Sequence, residues 1–319
     1  MPTNTHEDAV AANISTFDEE FASKYEKRES QILLSYLFAK NVLEFDPNKS
    51  RKSDEESSKL IGDPSQYCNG LTKENTLPNP LTYEKDFPNG LFKPGMKLLD
   101  FACGTGMVTE LFIPYLKQPG QKSEIVGIDI GPVFLKYFNE RAKKYSDENL
   151  EMKSYEYDIL NPKLEKKVSK FENQFDVIIC TISYHHIHNY EIVTQKLASF
   201  LKKGGWLFII DFYNEDVEKI DLSNTNSKNM KVSEAVQHMG GLKKSSLNHV
   251  LKNLSGLINV TSSREFKTFI WQPASFIENH SDEQTVNNLK TGKLKQKDFN
   301  DEINYLIETS VIYAIGQKP

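Results

Sequence analysis

Cysteine is scarce in this chain: three in 319 residues, at Cys68, Cys103 and Cys180. They lie far apart, so the sequence holds neither a disulfide framework nor a zinc-ligand set. That scarcity fits a reducing, intracellular compartment: the cytoplasm, with the nucleus left open. Apolar runs long enough to span a membrane are missing too. The first twenty residues contain no arginine, which argues against a mitochondrial transit peptide. No surplus of positive charge exists; the formal net charge is −5. This argues against a general nucleic-acid binder, so neither nucleic acid nor membrane is expected as a partner. No internal repeat is visible. What is there is a polar globular chain, 38% hydrophobic and 26% charged, long enough for one large domain or two small ones.

The most informative stretch is Lys97-Leu98-Leu99-Asp100-Phe101-Ala102-Cys103-Gly104-Thr105-Gly106. It starts as a short apolar run, the pattern of a buried parallel strand, and passes through an acid into a two-glycine loop. Met107 to Leu116 follows at helical spacing, with Pro114 a disturbance near its end. Strand, glycine turn and helix open a nucleotide-binding α/β unit. The glycines let a ligand approach the backbone, and the helix N-terminus offers unpaired N–H groups to an anion. The dinucleotide pattern needs a third Gly or Ala where Thr109 stands. Asp100 is an odd neighbour for a pyrophosphate. It suits a ligand with a cationic end, such as S-adenosylmethionine. The plainer alternative is a sharp turn in which Asp100 only caps the helix.

Leu-Leu-Asp-Phe-Ala-Cys-Gly-Thr-Gly resembles the first motif of the class I S-adenosylmethionine-dependent methyltransferases, in particular the small-molecule, ubiquinone-biosynthesis-like branch. The resemblance implies an α/β, Rossmann-like fold. Its sheet has seven strands, mostly parallel, with helices on both faces and an antiparallel final hairpin. It also implies S-adenosylmethionine as cofactor, with Asp100, Ala102, Gly104, Thr105 and Gly106 around it.

Further along, Glu124 to Ile130 reads as a second strand. Asp129 at its end lies roughly 20 residues beyond the glycine loop and suits the hydroxyls of an adenosine ribose, with Ile130 beside it. Glu151 to Ile159 alternates as a third strand. Its Asp158 resembles the family's acid beside the adenine, with Ile159 on the ring. Phe175 to Thr181 is a continuous apolar run suited to the sheet centre, and Thr181 joins the cofactor set. The loop Ile182-Ser183-Tyr184-His185-His186-Ile187-His188 follows. Its histidine spacing is poor for a metal, and no cysteine or acid cluster accompanies it, so no metal is expected. His185 is the first candidate for a base or orienting group on the acceptor, and His186 the second. In an extended segment neighbouring side chains point opposite ways, so only one of the two should face the pocket.

Three regions follow from composition. Residues 1–45 are a tail, loose to about residue 12, followed by helices that either pack on the domain as an ordinary amphipathic pair or, as the resemblance implies, form a lid. There Phe17, Phe21, Tyr25, Ile32, Leu33, Tyr36 and Leu37 recur at three- and four-residue steps. The resemblance adds Phe17-Asp18 and Lys24-Tyr25-Glu26, with Tyr25 and Arg28 closing over the cofactor. Residues 46–95 are rich in breakers and read as a low-complexity inserted loop. Residues 96–319 form the cofactor-binding domain, with a glycine turn at Lys202 to Gly205, late strands at Leu257–Ile270 and Val311–Lys318, and a polar insert near 272–305. The resemblance implies methyl transfer to a small molecule. The alternatives are a protein methyltransferase that docks its substrate on the inserts, and a non-catalytic module that only binds the cofactor.

Overall fold

The computed structural model describes residues 5–49, 77–212, 235–238, 241–299 and 302–319. Three helices open the chain: α1 (His6–Thr16), α2 (Glu19–Lys27) and α3 (Glu29–Leu43). Then β1 (Lys97–Phe101), α4 (Met107–Leu116), β2 (Ser123–Asp129), α5 (Pro132–Tyr145), β3 (Leu150–Glu156), β4 (Phe175–Thr181), α6 (Tyr190–Phe200) and β5 (Leu201–Phe212) alternate. Next come α7 (Lys244–His249), β6 (Ile258–Pro273), α8 (Ala274–His280), α9 (Glu283–Lys290), β7 (Gln296–Phe299) and β8 (Glu302–Gln317).

The sheet path is β3-β2-β1-β4-β5-β8-β6, with β7 paired on β8 outside it. Pairings among β1 to β5 are parallel, while β8 runs antiparallel between β5 and β6. The central strands are apolar on both faces because helices cover both: Leu98, Leu99, Ile125, Ile128, Ile178 and Ile179 are fully buried. One core lies under α3, α4 and α5, the other under α6 and α7. A sheet of seven strands in one path, mostly parallel and ending antiparallel, is the Rossmann-like fold that the motif implied. No helix among the described residues is long and apolar enough to cross a membrane.

Several boundaries differ from the sequence reading. The loose tail is a helix from His6, because Thr5 caps it: its hydroxyl accepts from the Asp8 N–H at 3.1 Å. Ala9 and Asn13 then bury one face of α1. Part of the presumed loop at 46–95 lies outside the described residues. Its final third is anchored to the core by two side chains: Phe92 stacks on Phe112 at 4.7 Å, and the Tyr83 hydroxyl donates to the Leu43 carbonyl at 2.6 Å. The insert near 272–305 supplies α8, α9 and β7. The glycine turn falls where pairing between β4 and β5 jumps from Phe175–Leu201 to Val177–Trp206, and Gly204 takes φ +79° there. Cys68 lies outside the described residues; Cys103 and Cys180 are free and buried.

Candidate functional site

The carboxyl ends of β1, β2, β3 and β4 open onto one cavity of about 450 Å³, the place where open parallel sheets hold ligands. Ala102, Gly104, Thr105, Asp129, Ile130, Asp158, Ile159, Thr181, Tyr25, Arg28, His185 and His186 all line it. Thus twelve of the fourteen residues singled out from the sequence meet on one surface. The two that do not are Asp100 and Gly106.

The glycine loop reverses sharply, with positive φ at Ala102 (55°), Gly104 (53°) and Gly106 (85°). A Cβ on Gly104 would meet only Phe134, at 3.7 Å, so this part of the loop stands open. Gly106 faces the other way. A Cβ there would lie 2.8 Å from Phe138, and the residue caps α4 in the left-handed region that favours glycine. Its work is to turn the chain and let α5 close in, outside the cavity wall.

Asp129 ties the loop to β2. One carboxylate oxygen accepts from the Gly104 N–H at 2.8 Å, the other from the Gly131 N–H at 2.7 Å. Burial raises its carboxyl above the ordinary range, and those backbone donors oppose the rise. With the Ile130 N–H also donating to it, the carboxylate still keeps acceptor capacity for a ligand hydroxyl. Asp100 is different. It is 2% exposed, lies behind the loop and accepts from the Thr109 hydroxyl through one oxygen, while the other has no partner among the described residues. Burial pushes it up to about 7. Asp100 does not line the cavity, so it makes no direct contact with a ligand there.

At the far end, Asp158 accepts from the Leu160 N–H at 3.0 Å and pairs with His6 Nε2 at 3.0 Å. Helix α1 therefore reaches across to the end of β3. Asn13 fastens the same helix to the other side, donating to the Ala235 carbonyl at 3.1 Å.

The histidine loop is a tight turn, Tyr184–His186, and this corrects the expectation that only one histidine faces the cavity. The two rings lie 4.0 Å apart, centre to centre, and both line it. Alternation holds for extended chain; in a 3₁₀ turn neighbours diverge by about a third of a turn. Behind them is Asp211, fully buried near the end of β5. Its carboxylate accepts from the His185 backbone N–H at 3.0 Å and lies 2.6 Å from His185 Nδ1. An ionised carboxylate only accepts, so Nδ1 carries the proton and Nε2 the ring's lone pair. His186 Nδ1 sits 3.0 Å from the Ala235 carbonyl, and its ring meets Phe17 edge-on at 5.3 Å.

Helices α1 and α2 roof the cavity with Phe17, Phe21 and Tyr25, which gather round Phe134 at centroid distances of 5.6, 6.3 and 6.1 Å. Arg141 on α5 holds α2 down. It donates to Glu26 at 2.8 Å, to Glu110 at 2.7 Å and to the Thr105 carbonyl of the glycine loop at 2.9 Å. One guanidinium thus joins roof and loop. His6, Phe134, Arg141 and Asp211 escaped the sequence reading. Only Asp211 carried a usable signal there: an apolar strand ending on an acid, the same cue that marked Asp129.

Comparison with known proteins identifies the family. A family model described as a methyltransferase domain matches residues 92–297. An uncharacterized methyltransferase of Schizosaccharomyces pombe is 30% identical over 251 residues, covering 78% of this chain and 80% of its own. A ubiquinone biosynthesis O-methyltransferase of Actinobacillus pleuropneumoniae is 30% identical over 142 residues, 44% of this chain and 56% of that protein. Among solved structures, Haemonchus contortus phosphoethanolamine N-methyltransferase 2, in complex with S-adenosyl-L-methionine, aligns with a TM-score of 0.47 and 12% identity, covering 100% of this chain and 61% of that one. The chain belongs to the methyltransferase-domain family, as a methyltransferase of the class I, S-adenosylmethionine-dependent kind.

Proposed function

We propose that this methyltransferase acts on a small-molecule acceptor whose nucleophilic atom carries a proton, and that His185 takes that proton. One observation carries the reading: a histidine oriented by a buried carboxylate stands in a cavity roofed by α1 and α2. An acceptor that meets His185 has to fit beneath that roof.

The residues suit the cofactor. Gly104 leaves room for close approach, and Asp129 offers acceptor lone pairs at the cavity wall for ribose hydroxyls. Asp158 and Ile159 offer an acceptor and an apolar face for a purine. When bound, S-adenosylmethionine supplies a methyl carbon already activated by a positively charged sulfur. The protein's share is positioning and exclusion of water. Asp211 fixes the imidazole with Nε2 basic, and Phe17 and His186 wall the acceptor side. Thr181 and Ala102 complete the floor. Asp100 and Gly106 serve this arrangement from behind, by setting the loop.

Incubating a cell extract with methyl-labelled S-adenosylmethionine and the enzyme tests the reading. Label should enter solutes that pass a small-pore filter. Label confined to protein would replace it with the macromolecular reading, in which the 46–95 and 272–305 segments dock a substrate. Cofactor binding without any transfer would leave a binding module.

A further inference from the structure

Of the two buried residues on α1, Ala9 and Asn13, one is polar. Asn13 is 7% exposed and lines the cavity. An apolar side chain would serve the packing of the roof better, and Asn is a poor helix former. Its amide nitrogen is engaged. It donates back to the Ala9 carbonyl at 2.8 Å and across to the Ala235 carbonyl at 3.1 Å, and it lies 3.5 Å from the His186 carbonyl. All three neighbours are carbonyl oxygens, which only accept, so the nitrogen has to face them and the amide cannot be flipped. The amide oxygen is thereby fixed as well, and it meets no donor among the described residues. A buried carbonyl oxygen left unmet costs free energy. Because Asn13 lines the cavity, a ligand there is the available donor.

The neighbours of Asn13 say which ligand. The Ala235 carbonyl that holds its amide also accepts from His186 Nδ1 at 3.0 Å, and the His186 ring lies 4.0 Å from that of His185. Asn13, His186 and His185 therefore follow one another along one wall. A proton on Nδ1 of either neutral imidazole makes its Nε2 an acceptor. Three neighbouring side chains thus offer acceptors, and such a wall suits a molecule that brings donors. One donor is the proton that His185 takes; Asn13 calls for a second. We propose that Asn13 binds the methyl acceptor through its amide oxygen, which accepts from a second N–H or O–H on the methylated atom or on the adjoining carbon. A primary amine, an amino alcohol or a vicinal diol has that second donor. A lone alcohol, thiol or carboxylic acid lacks it. This rests on the methyl-transfer reading and deepens it by naming the acceptor class.

The labelled solute that the wild-type enzyme forms gives the first test, and it needs no variant. After one methyl transfer its structure, read by mass spectrometry and NMR, should keep an N–H or O–H on the methylated atom or on the adjoining carbon. A product with neither overturns the proposal. The second test pairs Asn13→Leu with an analogue of that acceptor from which the second donor has been removed. On the acceptor itself the variant should raise KM about tenfold, the loss of one hydrogen bond. On the analogue that cost should vanish, because the partner of the Asn13 oxygen is already gone. An equal cost on both would mean that Asn13 only pins α1 to the histidine turn, and overturns the proposal. If the Leu variant does not fold, the product structure decides alone. Label confined to protein, or absent, overturns the small-molecule reading and the acceptor class with it.

Discussion

Replacing Asp100 by Asn should make the protein gain stability relative to wild type as pH rises. In the folded chain burial lifts this carboxyl from the ordinary carboxylate range to about 7. Unfolded, it returns to the ordinary range near 3.9. Below pH 4 both states hold the proton and the group contributes nothing. Between pH 4 and 7 the unfolded chain releases the proton while the native state keeps it. Unfolding is therefore favoured by about 1.4 kcal/mol for each pH unit. Above pH 7 both states are ionised and the penalty is constant. Integrated from pH 4.5 to 7.5, the loss is about 3 kcal/mol. Asn cannot ionise, keeps a group able to meet the Thr109 hydroxyl, and leaves the second atom as poorly matched as the unpartnered Asp100 oxygen. Any fixed cost of the amide cancels when two pH values are compared. Urea unfolding of both proteins at pH 4.5 and pH 7.5, read as free energies at matched m-values, measures the difference. Parallel stability curves would refute the reasoning, because they would mean that Asp100 is ionised in the native state across this range.

Three further outcomes follow from the site. Asp129→Ala should weaken S-adenosylhomocysteine by about 1.5–3 kcal/mol in calorimetry, through loss of a charged hydrogen bond and of the loop anchor on Gly104; unchanged affinity would remove it from the ribose. His185→Ala should lower turnover about 10²–10⁴-fold on the acceptor found by labelling, with S-adenosylhomocysteine affinity nearly unchanged, and Asp211→Asn should do likewise by freeing the wrong tautomer. Full activity in both would leave proximity as the source of rate. Glu26→Gln should loosen α2 from Arg141, so S-adenosylhomocysteine should protect the α2 amides from hydrogen exchange less than in wild type; equal protection would mean that apolar packing alone holds the roof.

How far the sequence reached depends on the length scale of each contact. The glycine loop and Asp129 were legible because strand, turn and helix are neighbours in the chain. Gly104 and Asp129 are only 25 residues apart, joined by one crossover. His6 and Asp158 are 152 residues apart, and Glu26 and Arg141 are 115 apart. No local pattern reports such pairs, since nothing in either segment depends on the other until the sheet has formed. The aromatic spacing of Phe17, Phe21 and Tyr25 did announce a buried stripe. It could not say that the stripe covers a cavity instead of a core. The two histidines failed for another reason. Alternation was applied to residues 182–188, but Ile182 takes φ +50° and the chain turns at once, so both rings share one wall.

Four strand-end acids share one sequence cue and meet four fates, and position along the strand decides which. Asp129 is the last residue of β2, so its carboxylate reaches past the sheet to the backbone of the next loops, with a donor for each oxygen. Asp158 lies two residues beyond β3 and is free enough to be met by His6 from the roof. Asp100 and Asp211 each precede the final residue of their strands, and both side chains turn down into the fold. There the neighbours part them. Asp100 finds one hydroxyl on α4, whereas Asp211 finds a backbone N–H and an imidazole from the histidine turn. An acid behind a loop shapes the loop. An acid behind a cavity-lining histidine decides which ring nitrogen is basic, and under the proposed function it would act on the chemistry through that ring without touching the substrate.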